Sequence, residues 1–276
     1  MLRSVQAYLS QAEGSFGIVF DDLTSGAHWE HQADEPFYAA SVIKVPIMVE
    51  AFHQAHHGRL DLDRQRLTWT RADQVGGDGV IKLLTPGTAL PVRDLITLMI
   101  VVSDNAATNL LIDRLGRDAI RQCLVRCGMK NSSFYNKLSV VPAQREGVNT
   151  ITPRDVQHLF LLLARGEAVS QHASDQMIAI LKENQDYSRA VKYLPWDEEG
   201  LTGERPPVQV AHKTGSVKGL SHDAGLFYLR DRAYCLTILG KGLPDDVYGA
   251  EAVARISRLV YEEVAGGSAG SPGGEG

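Results

Sequence analysis

The chain has 276 residues, 44% apolar and 22% charged, which is enough for one large core or for two lobes sharing an interface. Its net charge is -5 with both signs interspersed, excluding the basic stripe of a nucleic-acid binder and the basic run of a membrane-surface protein. No segment reaches the ~20 apolar residues of a bilayer span, and Cys123, Cys127 and Cys235 form neither a disulfide framework nor zinc-ribbon spacing but read as small buried thiols.

The N-terminus has no apolar core of a secretory signal. The expected location is therefore the cytoplasm for the chain as it stands, or the periplasm or exterior if a leader has been removed. Residues 2–11 place Leu2, Val5, Tyr8 and Leu9 at helical spacing. Phe16 to Phe20 read as a strand, turned at Asp21-Asp22 and Ser25-Gly26 into a second strand near Ala27–His31. From Val42 to about Gln54 the apolar residues surround a helix buried nearly all round, with Pro46 late for a first-turn proline. Helices follow at 93–101, Ala106–Leu115 and 117–127, the last two stopped by Gly116 and Gly128. Residues 131–151 lack periodicity and read as a long loop of the kind that carries function. Thr152-Pro153-Arg154-Asp155 then starts a helix running to Ala164: a capping hydroxyl, a first-position proline and an acid in the first turn. Strands return at Val208–His212, Ala224–Leu229 and Ala233–Leu239, followed by a helix over about Val247–Val264 and a Gly/Ser/Pro tail.

This order predicts an α/β two-lobe fold. Residues 1–38 and 190–265 form one discontinuous lobe, an antiparallel sheet flanked by the N- and C-terminal helices; residues 39–189 form an inserted all-helical lobe, and 266–276 a disordered tail. Clefts form at such junctions.

Three short words fall at or near that junction: Ser41-Val42-Ile43-Lys44, Ser103-Asp104-Asn105 and Lys213-Thr214-Gly215. All three in this order arise by accident in roughly one chain in a thousand or fewer. Ser41 and Lys44 are one helical turn apart, so both project from one face. A serine hydroxyl needs a base, and a lysine serves only if burial or a neighbouring cation lowers its pKa. In the second word Ser103 can relay a proton to the leaving group, Asn105 can offer its amide to a substrate carbonyl, and Asp104 most simply fixes the turn. In the third, Lys213 and Gly215 share one strand face and Thr214 takes the other. Lys213 supplies charge for a carboxylate, Gly215 lets a ligand backbone approach, and Ser216 adds another hydroxyl. Each word alone has a plainer meaning: a helix cap with a surface lysine, a helix-breaking cap, and a strand end.

The trio resembles the words of class A β-lactamases and penicillin-binding proteins. The likeness covers residues 1–265, including Ile151-Thr152-Pro153-Arg154-Asp155 after the family's omega loop and His222-Asp223-Ala224-Gly225 after its Lys-Thr-Gly word. The resemblance implies a site between the lobes in which Ser41 is acylated and Lys44 transfers protons. It puts the Ser41 and Ser216 N–H groups in an oxyanion hole. Ser103, Lys213 and Thr214 would line the carboxylate side, and Asn105 would meet the acyl amide. It implies no cofactor and no metal. The family's Glu-x-x-x-Asn stretch, which activates the deacylating water, is missing between Asn136 and Thr150. Glu146 is that loop's only acid, either a displaced substitute or an ordinary solvated charge, the second being favoured.

The expected protein is a monomeric serine hydrolase of β-lactams or related acyl compounds, with a small-molecule substrate and neither nucleic acid nor membrane as partner. The alternatives are an esterase or DD-peptidase on the same scaffold, or a sensing domain that is acylated and stays so. Two rival constellations carry less weight. His53 and His57 have a zinc-compatible spacing but no third ligand nearby. His222-Asp223 could be imagined as triad partners for Ser41, but adjacent strand residues point to opposite faces.

Overall fold

The computed structural model describes residues 2–139, 147–195 and 208–266. Helix α1 (Arg3–Leu9) leads into β1 (Ser15–Asp22) and β2 (His28–His31), and the chain closes with β7 (Val208–Val217), β8 (Leu220–Leu229), β9 (Ala233–Lys241) and α8 (Asp246–Gly266). The first and last segments share one antiparallel five-stranded sheet of order β2-β1-β9-β8-β7. Register is set by pairs such as Ile18↔Ile238 and Lys213↔Ala224. β7 lies at the sheet edge, with β8 as its one strand neighbour among the described residues.

Both faces of the sheet are covered, so β1 and β9 read as largely apolar runs, while the start of β7 alternates. On one face Ile18, Phe20, Phe227 and Leu236 pack with Val5 of α1 and Val253, Ile256 and Val260 of α8. On the other, α6 (Pro153–Ala164) crosses β1, β8 and β9. There Gln157 donates to the Cys235 carbonyl at 3.1 Å and accepts from the Thr237 hydroxyl at 2.8 Å. Thr152 caps this helix, accepting from the Asp155 N–H, with Pro153 in first position, as the sequence predicts.

The helices between β2 and β7 cluster around α2 (Lys44–His56), of which ten residues are buried, Ile47, Met48, Val49 and Phe52 among them. Each of those four contributes about 1.5–3 kcal/mol on burial, so the start of α2 is held on a rigid element. A 3-10 turn, Ala40–Ile43, precedes it. Pro46 is thus the third residue of the α-helix proper, where no intrahelical N–H donor is required. Around α2 stand α3 (Val92–Val101), α4 (Asn105–Leu115), α5 (Arg117–Arg126) and α7 (Gln171–Lys182).

Several elements depart from the sequence expectations. α7 is not marked there, although Ala173, Met177 and Leu181 on its buried face are spaced helically and Ser170 caps it. Short strand pairs also escape: β3 (Phe37–Tyr38) with β6 (Thr150–Ile151), and β4 (Arg66–Thr68) with β5 (Ala89–Pro91). Two or three residues show no period. β6 means that the stretch 131–151 is not wholly loop. The last helix runs on to Gly266, and the rest of the expected tail, 267–276, lies outside the described residues. Cys123, Cys127 and Cys235 are free and buried. No helix among the described residues is long and apolar enough to cross a membrane.

Candidate active site

Ser41 sits in the 3-10 turn that feeds α2, directly after Ala40, whose φ of 42° is left-handed. Ser103, between α3 and α4, has φ 54°. Non-glycine residues pay about 1–2 kcal/mol for that conformation. Asp104 stabilises the second turn. One of its carboxylate oxygens accepts from Ala107 N–H at 2.9 Å, and the other from Val80 and Ile81 N–H at 2.6 and 2.8 Å. Its place is structural, as the sequence suggests.

Lys44 is fully buried, with Nζ 3.1 Å from Ser41 Oγ, 2.9 Å from Ser103 Oγ, 2.7 Å from the Ser103 carbonyl and 2.8 Å from Asn105 Oδ1. Burial lowers its pKa well below the usual lysine value, and the charge of Lys213 lowers it further, against Asp78 and Asp104. The Ser103 carbonyl and Asn105 Oδ1 can only accept. In a neutral amine they take both N–H groups, and the lone pair then faces the two hydroxyls. Asn105 is held from its other end by donation from Nδ2 to the Gly76 carbonyl at 3.0 Å.

Lys213 projects from β7 and donates to the Thr214 carbonyl at 2.9 Å. Burial lowers its pKa to about 8, while Asp186 and Asp223 oppose the shift. Asp186 lies after α7, ion-paired with Arg189, which also donates from Nε to Ser221 Oγ at 3.1 Å. Burial would raise the Asp186 pKa, but the Arg189 charge and bonds from Ser188 and Thr214 hold it below the usual carboxylate range. Gly215 accounts for the contact between β7 and the serine turn: a Cβ there would lie 3.0 Å from Ser41 N and 3.1 Å from Val42 N. The backbone that approaches this glycine is the protein's own, where the sequence suggested a ligand's.

Ser41, Ser103, Lys213, Thr214, Gly215 and Ser216 thus line one cleft of about 520 Å³, with Lys44 and Asn105 bonded into the same network behind it. Glu146 lies outside the described residues. The described flanks of its loop, 131–139 and 147–151, contain no carboxylate. They are clamped at two places. Asn149 accepts from Tyr135 and Asn136 N–H at 2.7 and 3.0 Å, and Asn109 brackets Leu138, accepting from its N–H at 2.9 Å and donating to its carbonyl at 3.0 Å. Asp78, Asp186 and Arg189 also line the cleft, and no motif or period marks them in the sequence. They come from irregular segments brought in only by the tertiary fold.

Neither rival constellation assembles. Among the described residues no group of three or more His, Cys, Asp or Glu side chains could hold a metal ion, so His53 and His57 lack a zinc site. His222 is buried, with Nε2 2.9 Å from the Tyr38 carbonyl and Nδ1 accepting from Gly240 N–H at 3.2 Å. Burial lowers its pKa to about 4, and both nitrogens are committed away from Ser41.

A family model described as the beta-lactamase enzyme family matches residues 2–264. A carbapenem-hydrolyzing beta-lactamase, KPC, of Klebsiella oxytoca is 26% identical over 267 residues, covering 90% of this chain and 84% of that protein. Among solved structures, a beta-lactamase from Sphaerobacter thermophilus superposes with a TM-score of 0.87 at 31% identity, covering 95% of this chain and 97% of the other. The structure of PBP-A gives 0.85 at 29% identity, covering 96% of each chain. A variant of PBP-A has been solved as its acyl-enzyme complex with penicillin G.

Proposed function

The chain belongs to the beta-lactamase enzyme family and is a β-lactamase-like hydrolase, and from that premise we propose that it opens β-lactams through an ester at Ser41. The observation that carries this reading is the placement of one buried amine, Lys44, within 3.1 Å of both Ser41 Oγ and Ser103 Oγ. The neutral amine takes the Ser41 proton as Oγ attacks the lactam carbonyl. The Ser41 and Ser216 N–H groups stabilise the oxyanion, a role supported by the close approach of β7 at Gly215. As the C–N bond breaks, the proton passes from Lys44 through Ser103 to the leaving nitrogen. Lys213, with Thr214 and Arg189, holds the substrate carboxylate. The acyl amide lies between Asn105 and the free edge of β7. The lobes divide at residues 38–39 and 189–190, so that the walls of the cleft come from different lobes.

A second reading has its own support. The described flanks of the loop before α6 contain no carboxylate, and Asn109 holds the backbone of Leu138 in one of them. Glu146 remains the loop's one candidate base. Without a base for water the ester persists, as in a penicillin-binding or DD-peptidase-like protein. One nitrocefin time course followed by intact mass separates the readings. An adduct absent in Ser41→Ala and followed by released product identifies a β-lactamase. An adduct stable for hours identifies slow deacylation. Turnover of a p-nitrophenyl ester without any nitrocefin adduct overturns both in favour of an esterase.

A further inference from the structure

One charged side chain of the cleft has no role in these steps. Asp78 lines it together with Ser41 and Ser103. The other charged groups of that lining are engaged: Asp186 pairs with Arg189, and Lys213 donates to the Thr214 carbonyl. Asp78 is exposed, and among the described residues its carboxylate accepts no hydrogen bond and forms no ion pair.

The backbone that carries this carboxylate is fixed from both sides. Asn105 donates from its own N–H to the Asp78 carbonyl at 3.1 Å and from Nδ2 to the Gly76 carbonyl at 3.0 Å. Asp104 accepts from Val80 and Ile81 N–H at 2.6 and 2.8 Å. Between these grips Gly79, at φ 107°, lies so close to Asp104 that a Cβ would sit 2.3 Å from its Cγ. A side chain is strained at that φ and has no space there. The turn that supplies Ser103 and Asn105 thus also sets Asp78 on the wall. Burial works against the charge of Lys44 and Lys213, and Asp78 is among the groups that favour it on both amines.

We propose that Asp78 is a specificity-determining residue that makes the cleft favour acyl donors with a cationic amine on the acyl side chain, beside the amide that Asn105 meets. This rests on the proposed acylation of Ser41 and adds a substrate class to it. A carboxylate without a partner keeps its accepting positions for a ligand, and an ammonium brings three donors to them. Elsewhere in the cleft an ammonium meets Lys213 and Arg189 and is repelled, so the Asp78 end alone accepts it. Because Asp78 is exposed, the attraction is that of a solvated ion pair, about twofold to fivefold in rate.

The test compares ampicillin with benzylpenicillin, which differ by one amine on the acyl side chain, by second-order acylation rate at low salt. The proteins are wild type, Asp78→Asn and Asp78→Lys, each checked for folding by near-UV circular dichroism. At about pH 6, where an α-amine is charged, the ampicillin-to-benzylpenicillin ratio is expected to fall about twofold to fivefold in Asp78→Asn and further in Asp78→Lys. At about pH 9 the amine is neutral, and the three ratios should agree. In about 1 M salt they should also converge. The benzylpenicillin rate itself should hold or rise in Asp78→Asn, because the lost charge kept Lys44 protonated and repelled the substrate carboxylate. Should a variant not fold, the fall of the wild-type ratio with pH and with salt decides. A ratio at pH 6 that is the same in all three proteins, a difference that persists at pH 9, or equal losses for both compounds would each overturn the proposal. Absence of any adduct with either compound in wild type would instead overturn the Ser41 reading on which it stands.

Discussion

The two walls of the cleft each bury a lysine, and the charges around them push the two amines in opposite directions. Lys44 and Lys213 are 0% and 1% exposed, and burial is the largest force on both. The next influence decides between them. For Lys44 it is the repulsion of Lys213; for Lys213 it is the attraction of Asp186 and Asp223. Burial alone therefore does not assign a role. On the proposed mechanism the neighbouring charges favour one amine as the base and keep the other a cation up to about pH 8. Together they predict a bell-shaped rate profile, rising as Lys44 loses its proton and falling as Lys213 does.

The comparison breaks most completely at Lys44. Lys44→Ala is expected to slow acylation by about a thousandfold, within the range of a lost general base. Lys44→Arg should not recover the rate, because a guanidinium stays protonated. Stopped-flow acylation with intact-mass detection measures both. A variant within tenfold of wild type would remove Lys44 as the base.

Lys213 tests the same idea through stability. Its folded pKa of about 8 lies below the lysine value of 10.5. Above 10.5 the amine is neutral in both states. Between 10.5 and 8 the unfolded chain binds the extra proton, so stability falls as pH falls. Below about 8 the cost is full, up to about 3 kcal/mol. Lys213→Met is therefore expected to melt higher than wild type at pH 7 and to lack the wild-type gain between pH 8 and 10. Thermal melts across that window check it, and an unchanged pH dependence would contradict the assignment. The same variant removes the repulsion on Lys44, so with a carboxylate-free ester its acid limb should move to higher pH.

How far the sequence anticipated these walls depends on where the partners come from. Ser41 and Lys44 were legible because one helical turn joins them, and Lys213 because alternation marks β7. β1 and β9 were legible because they carry largely apolar runs. Arg189 and Asp186 were not, because the segment that carries them has no period and gains its position only by crossing the β7 edge. The pairing of Asp223 was legible in the wrong form. The adjacent His222 drew notice, yet the strand register turns His222 toward Tyr38 and gives Asp223 to His212, eleven residues back.

The smallest expected effect concerns the seam between the walls. In Gly215→Ala the new Cβ meets Ser41 N, Val42 N and Ala40 Cβ at 3.0, 3.1 and 3.2 Å. Those are backbone and Cβ atoms of a turn already held at φ 42°, so the serine turn and β7 must separate by a few tenths of an ångström. The charged neighbours of Lys213 stay in place, and the alkaline limb should not move. The proposed oxyanion position between the walls is expected to shift, and an error of that size costs about tenfold in rate. The acylation rate at saturating substrate is therefore expected to fall while the substrate concentration at half-saturation changes little. A loss of affinity with the limiting rate intact would mean that Gly215 serves the ligand's backbone after all, and that the two walls are not registered through it.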